Sequence, residues 1–211
     1  MNPDFDAAFR ARLHDLFVWR RDVRRFRTDP LPTGTLERLI ATACLSPSVG
    51  LSQPWRFVPV DDPARRTAVA ASFQAANAAA LAAQDDDHSG LYARLKLAGL
   101  AEAPVQFALF ADRATAQGHG LGRLTMPETA EYSAVAALVT LWLAARAEGI
   151  GLGWVSILDP AAVAAALDVP ADWRFVGYFC LGYPAAEDDA PELARAGWEN
   201  RRPAEAFILR R

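Results

Sequence analysis

Lysine is almost missing from these 211 residues: of 22 basic side chains only Lys96 is lysine, and the rest are arginine. With 25 acidic residues the net charge is −3, so the chain as a whole exerts no pull on nucleic acid. Cysteine is scarce as well. Cys44 and Cys180 form no CxxC unit and cannot build a disulfide scaffold, so both are expected as free, buried thiols. The three histidines, His14, His88 and His119, lack metal-ligand spacing, which argues against a metal site. There is no P-loop and no GxSxG elbow. Gly151-Leu152-Gly153 lacks the third glycine of a dinucleotide fingerprint and runs straight into Trp154, which argues against a Rossmann site. Long apolar runs are absent too. Ala134–Val139, continued by Leu141–Ala145 beyond Thr140, falls short of the roughly 18 to 20 residues of a bilayer span. The opening Met1-Asn2-Pro3-Asp4 carries neither the basic nor the apolar region of a secretory signal, so a cytoplasmic protein without a membrane role is expected.

What is present is core material. A content of 52% hydrophobic and 10% aromatic residues, with no low-complexity linker and no repeat, suits one α+β domain spanning 1–211. Phe9, Leu13, Leu16 and Phe17 form an amphipathic stripe over Asp6 to about Arg21. A second helix is expected over Thr35–Ala43, and Trp55–Val60 branches like a strand. Pro63–Gln84 is alanine-rich and helical, Asp85–Gly90 breaks it, and a short helix follows around Leu91–Leu100. Val105–Ala111 reads as a buried strand, Pro127–Glu148 as the longest helix and Gly151–Ile157 as a strand or turn. Asp159-Pro160 caps a helix to Leu167, and Trp173–Leu181 is the last strand. The Pro127–Glu148 helix is apolar nearly all round, more than one core face requires, and the tail Pro191–Arg211 is too mixed to pack on itself. Both point to a homodimer.

Arg20, Arg21, Arg24, Arg25 and Arg27 lie within eight residues around a lone Asp22. Such planar, multi-donor cations suit a phosphate, with helical phase placing Arg20 and Arg24 on one side and Arg21 and Arg25 on the next; a solvated basic helix end fits equally. Ser46-Pro47-Ser48-Val49-Gly50-Leu51-Ser52-Gln53-Pro54-Trp55 offers hydroxyls, an amide and backbone N–H groups to a polar ligand, or is simply a helix-to-strand connection.

In this order, Arg20-Arg21-Asp22-Val23-Arg24, the Ser46–Trp55 loop, Leu95-Lys96-Leu97-Ala98-Gly99, Thr125-Met126-Pro127-Glu128 and Gly151-Leu152-Gly153-Trp154-Val155-Ser156 resemble the FMN-dependent nitroreductase superfamily. The closer likeness is to its 5,6-dimethylbenzimidazole synthase branch, over roughly Phe17 to Trp198. Asp22 stands where ordinary nitroreductases usually have Ser, and Val49 and Leu51 where they have Ser and Asn. The resemblance implies a central, mostly antiparallel sheet flanked by helices in an intertwined homodimer, with the extension 190–211 packed on the partner subunit. It also implies that Arg20, Arg21, Asp22, Val23, Arg24, Ser48, Leu95 and Ser156 bind FMN. Arg201 would contact the phosphate, with Arg202 as the alternative.

The implied reaction is an O2-dependent breakdown of reduced FMN to 5,6-dimethylbenzimidazole and erythrose 4-phosphate, for the lower ligand of cobalamin. FMN would be consumed as substrate, supplied by a separate flavin reductase, with no metal. Asp22 would accept a proton and Ser156 donate a hydrogen bond. The structural alternatives are a salt bridge from Asp22 that orders the arginines, and a strand-end Ser156 hydroxyl bonded to backbone. The rival functions are an FMN-dependent NAD(P)H nitroreductase or quinone oxidoreductase and a non-catalytic flavin-binding protein. Asp85–Leu100, with its polar tip, would close over the flavin.

Overall fold

The computed structural model describes residues 4–211, and of Asp86 and Asp87 the backbone alone; the Met1-Asn2-Pro3 part of the leader reading lies outside them. Helix α1 (Ala7–Trp19) is opened by Asp6, whose carboxylate accepts from the Phe9 N–H at 2.6 Å. Then come α2 (Thr35–Ala43), a 3-10 turn (Val49–Leu51), β1 (Trp55–Pro59), α3 (Pro63–Ala82), α4 (Asp86–Tyr92), β2 (Val105–Asp112), α5 (Thr129–Ala147) and β3 (Gly151–Val155). The chain finishes with α6 (Pro160–Leu167), β4 (Trp173–Gly182), α7 (Glu192–Arg195) and a 3-10 turn (Ala204–Phe207).

The strands form one sheet in the order β1-β2-β4-β3, every pair antiparallel. Side chains on β2 and β4 alternate between two buried faces. Phe107, Leu109, Phe179 and Leu181 pack with α2 and α5, whereas Phe110, Tyr178 and Cys180 pack with Val69 of α3 and Val163 and Leu167 of α6. Because both faces are covered, the central strands read as unbroken apolar runs. A polar chain is set into the second face: Tyr178 donates to Gln106 Oε1 at 2.9 Å, and Gln106 Nε2 donates to the Leu100 carbonyl at 2.8 Å, anchoring the segment before β2.

The α+β class, the antiparallel sheet and its flanking helices agree with the expectation, and several local details differ. α1 stops at Trp19, and its apolar stripe leaves no residue buried within the chain. α3 does end before the Asp85–Gly90 run, at Ala82, but most of that run starts the next helix, because the Asp85 carboxylate accepts from the His88 N–H at 2.9 Å as an N-cap. The helix expected at Leu91–Leu100 ends at Tyr92, and beyond it Gly99 lies against the Phe26 ring, where a Cβ would come within 2.4 Å of the ring carbons. Cys180 is buried as expected, but Cys44, just past α2, is exposed. No helix among the described residues is long and apolar enough to cross a membrane.

Candidate functional site

β3 is an edge strand, and the arginine segment lies along it as extended chain. Asp22 and Leu152 form a parallel bridge, and the Val23 N–H donates to the Leu152 carbonyl at 3.0 Å. The Trp154 N–H donates to Asp22 Oδ1 at 2.9 Å. The helical phase expected for these arginines is therefore wrong: pairing with β3 satisfies the backbone that a continued helix would have satisfied internally. The glycines of Gly151-Leu152-Gly153 permit this approach. A Cβ on Gly153 would stand 2.1 Å from the Val23 carbonyl oxygen, and one on Gly151 would stand 2.7 Å from the Val23 side chain.

Asp22 also orders the arginines, since its Oδ2 accepts from Arg24 Nε at 3.0 Å. Arg24 in turn donates to the Lys96 carbonyl at 3.4 Å, which ties the Leu95-Lys96 segment to the site. From the other side α5 holds the segment: Trp142 Nε1 donates to the Arg21 carbonyl at 3.1 Å, and the Arg20 guanidinium lies 4.8 Å from the centre of the Trp142 ring.

Two recesses flank this segment. One, of about 150 Å³, is walled by Arg21, Arg24, Arg25, Asp188, Glu192 and Arg195. The other, of about 140 Å³, lies between Arg20, Arg21, Asp22, Arg24, Glu192 and Arg201, without Arg202. Burial lowers the pKa of the Arg20 guanidinium; Asp22 opposes the shift and Arg201 adds to it. For Arg21 burial again leads, followed by Arg20 and Arg201, against Asp189 and Asp188. Arginine stays charged throughout, so these shifts mark crowded cations that an anion would relieve. Arg21 Nε is buried with no hydrogen-bond partner among the described residues, a donor that fits a phosphate oxygen.

The structure thus gathers Arg20, Arg21, Asp22, Arg24 and Arg201 into one recess, while Val23 lines the neighbouring one and packs on Gly151. Ser156 follows β3 directly and is exposed, and no hydrogen bond of its hydroxyl is found among the described residues. Ser48 is elsewhere. Its hydroxyl accepts from the Gln53 N–H at 3.1 Å, and its loop is fixed to α5 by Val49 N–H donating to Ser133 Oγ at 3.0 Å. Ser133 precedes Trp142, which holds the arginine segment, by nine residues, about 13 Å of helix axis. A single chain does not bring Ser48 to the recess. The carboxylates that wall the recesses, Asp188 and Glu192, escape a motif-based reading. Their one sequence signal is an acidic run, Glu187-Asp188-Asp189 with Glu192, opposite in sign to the arginine run.

Residues 17–183 match the Nitroreductase family. The chain is 61% identical over 201 residues to a 5,6-dimethylbenzimidazole synthase of Rhodospirillum rubrum, covering 95% of each protein. It is 49% identical over 202 residues to one of Rhodobacter capsulatus, covering 96% of this chain and 98% of that protein. Among solved structures, an iodotyrosine deiodinase bound to FMN and 3-iodo-L-tyrosine shares the fold, with a TM-score of 0.70, 22% identity, and coverage of 83% of this chain and 91% of the other. With the family match spanning most of its length and full-length relatives well above the level at which common descent is in question, the chain belongs to the nitroreductase family.

Proposed function

We propose that this chain is a 5,6-dimethylbenzimidazole synthase, an oxidoreductase that uses O2 to fragment reduced FMN into 5,6-dimethylbenzimidazole and erythrose 4-phosphate for cobalamin. The observation that carries the reading is the arginine recess built on β3 by Asp22, in a chain that matches such synthases over 95–96% of its residues. Reduced flavin brings its own reactivity toward O2, and the protein contributes binding, orientation and electrostatics. Arg20, Arg21, Arg24 and Arg201 hold the phosphate. Asp22 fixes Arg24 through one oxygen and the β3 backbone through the other, and its remaining lone pairs accept a proton from the substrate chain. Ser156 donates its unengaged hydroxyl to the ring edge, and Val23 and Leu95 give apolar contacts. Because the flavin is consumed, a separate flavin reductase replenishes it.

Each recess is smaller than the ~300–1,000 Å³ of ligand pockets that enclose a whole organic molecule. The ring system therefore extends beyond what one chain encloses, toward surface that a second copy covers. Ser48 reaches the flavin from that partner copy. The stripe of α1 is free to be covered, with Phe17 49% and Trp19 39% exposed, and the tail shows Phe207 at 74% and Leu209 at 73%. The chain is then one domain, 1–211, in an intertwined homodimer; of the extension 190–211, Glu192 and Arg201 wall this chain's own recess, and the stretch beyond them, with Phe207 to Leu209, reaches onto the partner.

Anaerobic loading with FMNH2, admission of air and analysis of the products test the proposal. Dimethylbenzimidazole appearing in proportion to flavin lost is the expected result. Flavin reoxidised intact overturns it in favour of an NAD(P)H oxidoreductase, or, if no electron acceptor is turned over, a flavin carrier.

A further inference from the structure

Resting on that flavin reading, we propose that Trp198 is a positioning residue that latches the C-terminal chain to α4, so that seating α4 and placing Arg201 in the recess are one coupled event. From Arg195 to Arg211 every residue is exposed on this chain except Trp198, which is half-buried. What it rests on is α4. Its ring meets those of His88 and Tyr92 edgewise, at 5.9 and 6.1 Å between centres. Both contacts are themselves held: Tyr92 is buried and donates to Asn77 Oδ1 of α3 at 2.9 Å, and His88 Nδ1 lies 2.7 Å from Asp85 Oδ1.

The chain on either side of Trp198 leads to the recess. Upstream, α7 is pinned by ion pairs of Arg25 with Glu192 at 3.5 Å and of Arg195 with Asp188 at 3.1 Å. Gly197, at φ +77°, ends that helix in a left-handed turn that lets the Trp198 N–H donate to the Leu193 carbonyl at 2.9 Å and so fixes where the indole starts. Downstream, three residues of chain span at most about 11 Å, so Arg201 sits in the recess only within that reach of Trp198. It sits there against repulsion, since Arg201 lowers the pKa of both Arg20 and Arg21. With Glu199 to Arg211 exposed, the seat of Trp198 on α4 is the hold this chain gives Arg201 until an anion offsets the crowded cations. By linkage the effect runs both ways: an anion that holds Arg201 steadies α4 by the factor by which a seated α4 raises affinity for the anion.

The test is a double-mutant cycle on the full chain, with oxidised FMN as the probe. The wild type, Trp198→Ala, Trp198→Phe, Arg201→Ala and the Trp198→Ala, Arg201→Ala double variant are titrated, and each is proteolysed with and without saturating FMN. Trp198→Ala should weaken FMN binding about fivefold, the scale of two lost edge-to-face ring contacts, and Trp198→Phe should restore most of it. In the Arg201→Ala background Trp198→Ala should weaken binding no further, because the latch acts through Arg201. Arg201→Ala saturated with FMN should be cut near residues 85–90 as fast as the wild type without FMN, an effect that a ring merely padding α4 does not produce. Equal weakening by Trp198→Ala in both backgrounds, unchanged FMN affinity in Trp198→Ala, or the same protection of α4 by FMN in Arg201→Ala as in the wild type overturns the latch and leaves the flavin reading standing. No FMN binding by the wild type overturns both.

Discussion

Asp22 joins two residues far apart in sequence, Arg24 and Trp154, and an asparagine in its place keeps an oxygen for the Trp154 N–H. Asp22→Asn should therefore leave FMNH2 binding largely intact while strongly reducing dimethylbenzimidazole formation, and Ser156→Ala should do the same. Arg24→Ala should instead weaken binding, by about 1.5–3 kcal/mol for a lost charged hydrogen bond. Flavin titration beside product yield separates these roles, and weak binding with full conversion in Asp22→Asn would make Asp22 a positioning residue alone. Gly153→Ala forces a methyl group onto the Val23 carbonyl and should cost about 1–3 kcal/mol in thermal unfolding while loosening flavin. Burial pushes the Cys180 thiol up from 9.0 to about 12, and raises the Tyr178 hydroxyl as well. Above pH 9 the unfolded chain sheds the thiol proton that the folded chain keeps, so stability should be complete below that pH and fall as pH rises toward 12. Denaturant midpoints between pH 8 and 11 check the sign. A thiol reagent at neutral pH should modify exposed Cys44 quickly and Cys180 only on unfolding.

Among the elements, α4 docks through its C-terminal aromatic residue. Tyr92 donates to Asn77 Oδ1 at 2.9 Å, and Trp198 sets its ring edgewise to Tyr92 and His88 at 6.1 and 5.9 Å. The segment after it is firmly placed, by Gln106 on the Leu100 carbonyl and by Arg24 on the Lys96 carbonyl. A short helix with an exposed polar start on a fixed base suits a cover for the flavin. Limited proteolysis should cut near residues 85–90 and slow when FMN is added. Equal cleavage with and without FMN would remove the cover from the account. The elements themselves follow local sequence closely: α2 and α6 begin and end where propensity and the Asp159-Pro160 cap place them, and β2 coincides with the one apolar run between Pro104 and Arg113. α4 was misread because an acidic cluster between helices looks the same whether it ends one helix or caps the next.

For the molecule as a whole, an α1 without a buried residue and a tail with three exposed apolar side chains, Phe207, Ile208 and Leu209, leave apolar surface that a second copy should cover. Sedimentation should show a dimer at micromolar concentration, and a stable monomer there would sink the shared site. Dilution to monomer should abolish flavin turnover, because Ser48 and the arginine recess would no longer meet.

The sequence by itself determined the kinds of elements, most of their limits, the arginine run and the family likeness, since each depends on residues near one another along the chain or on a pattern shared with relatives. Tertiary structure alone decided the strand order β1-β2-β4-β3, the extended state of Arg20–Arg24 and the recess that joins Arg20 to Arg201. Asp22 meets Trp154 across 132 residues, and whether it does so depends on how β3 is placed at the sheet edge and on two glycines bare enough to admit Val23. Local propensity favours continuing α1 through those arginines. Pairing with β3 overrides it, because backbone hydrogen bonds and a carboxylate held between Arg24 and Trp154 outweigh the few tenths of a kcal/mol per residue at stake in helix propensity.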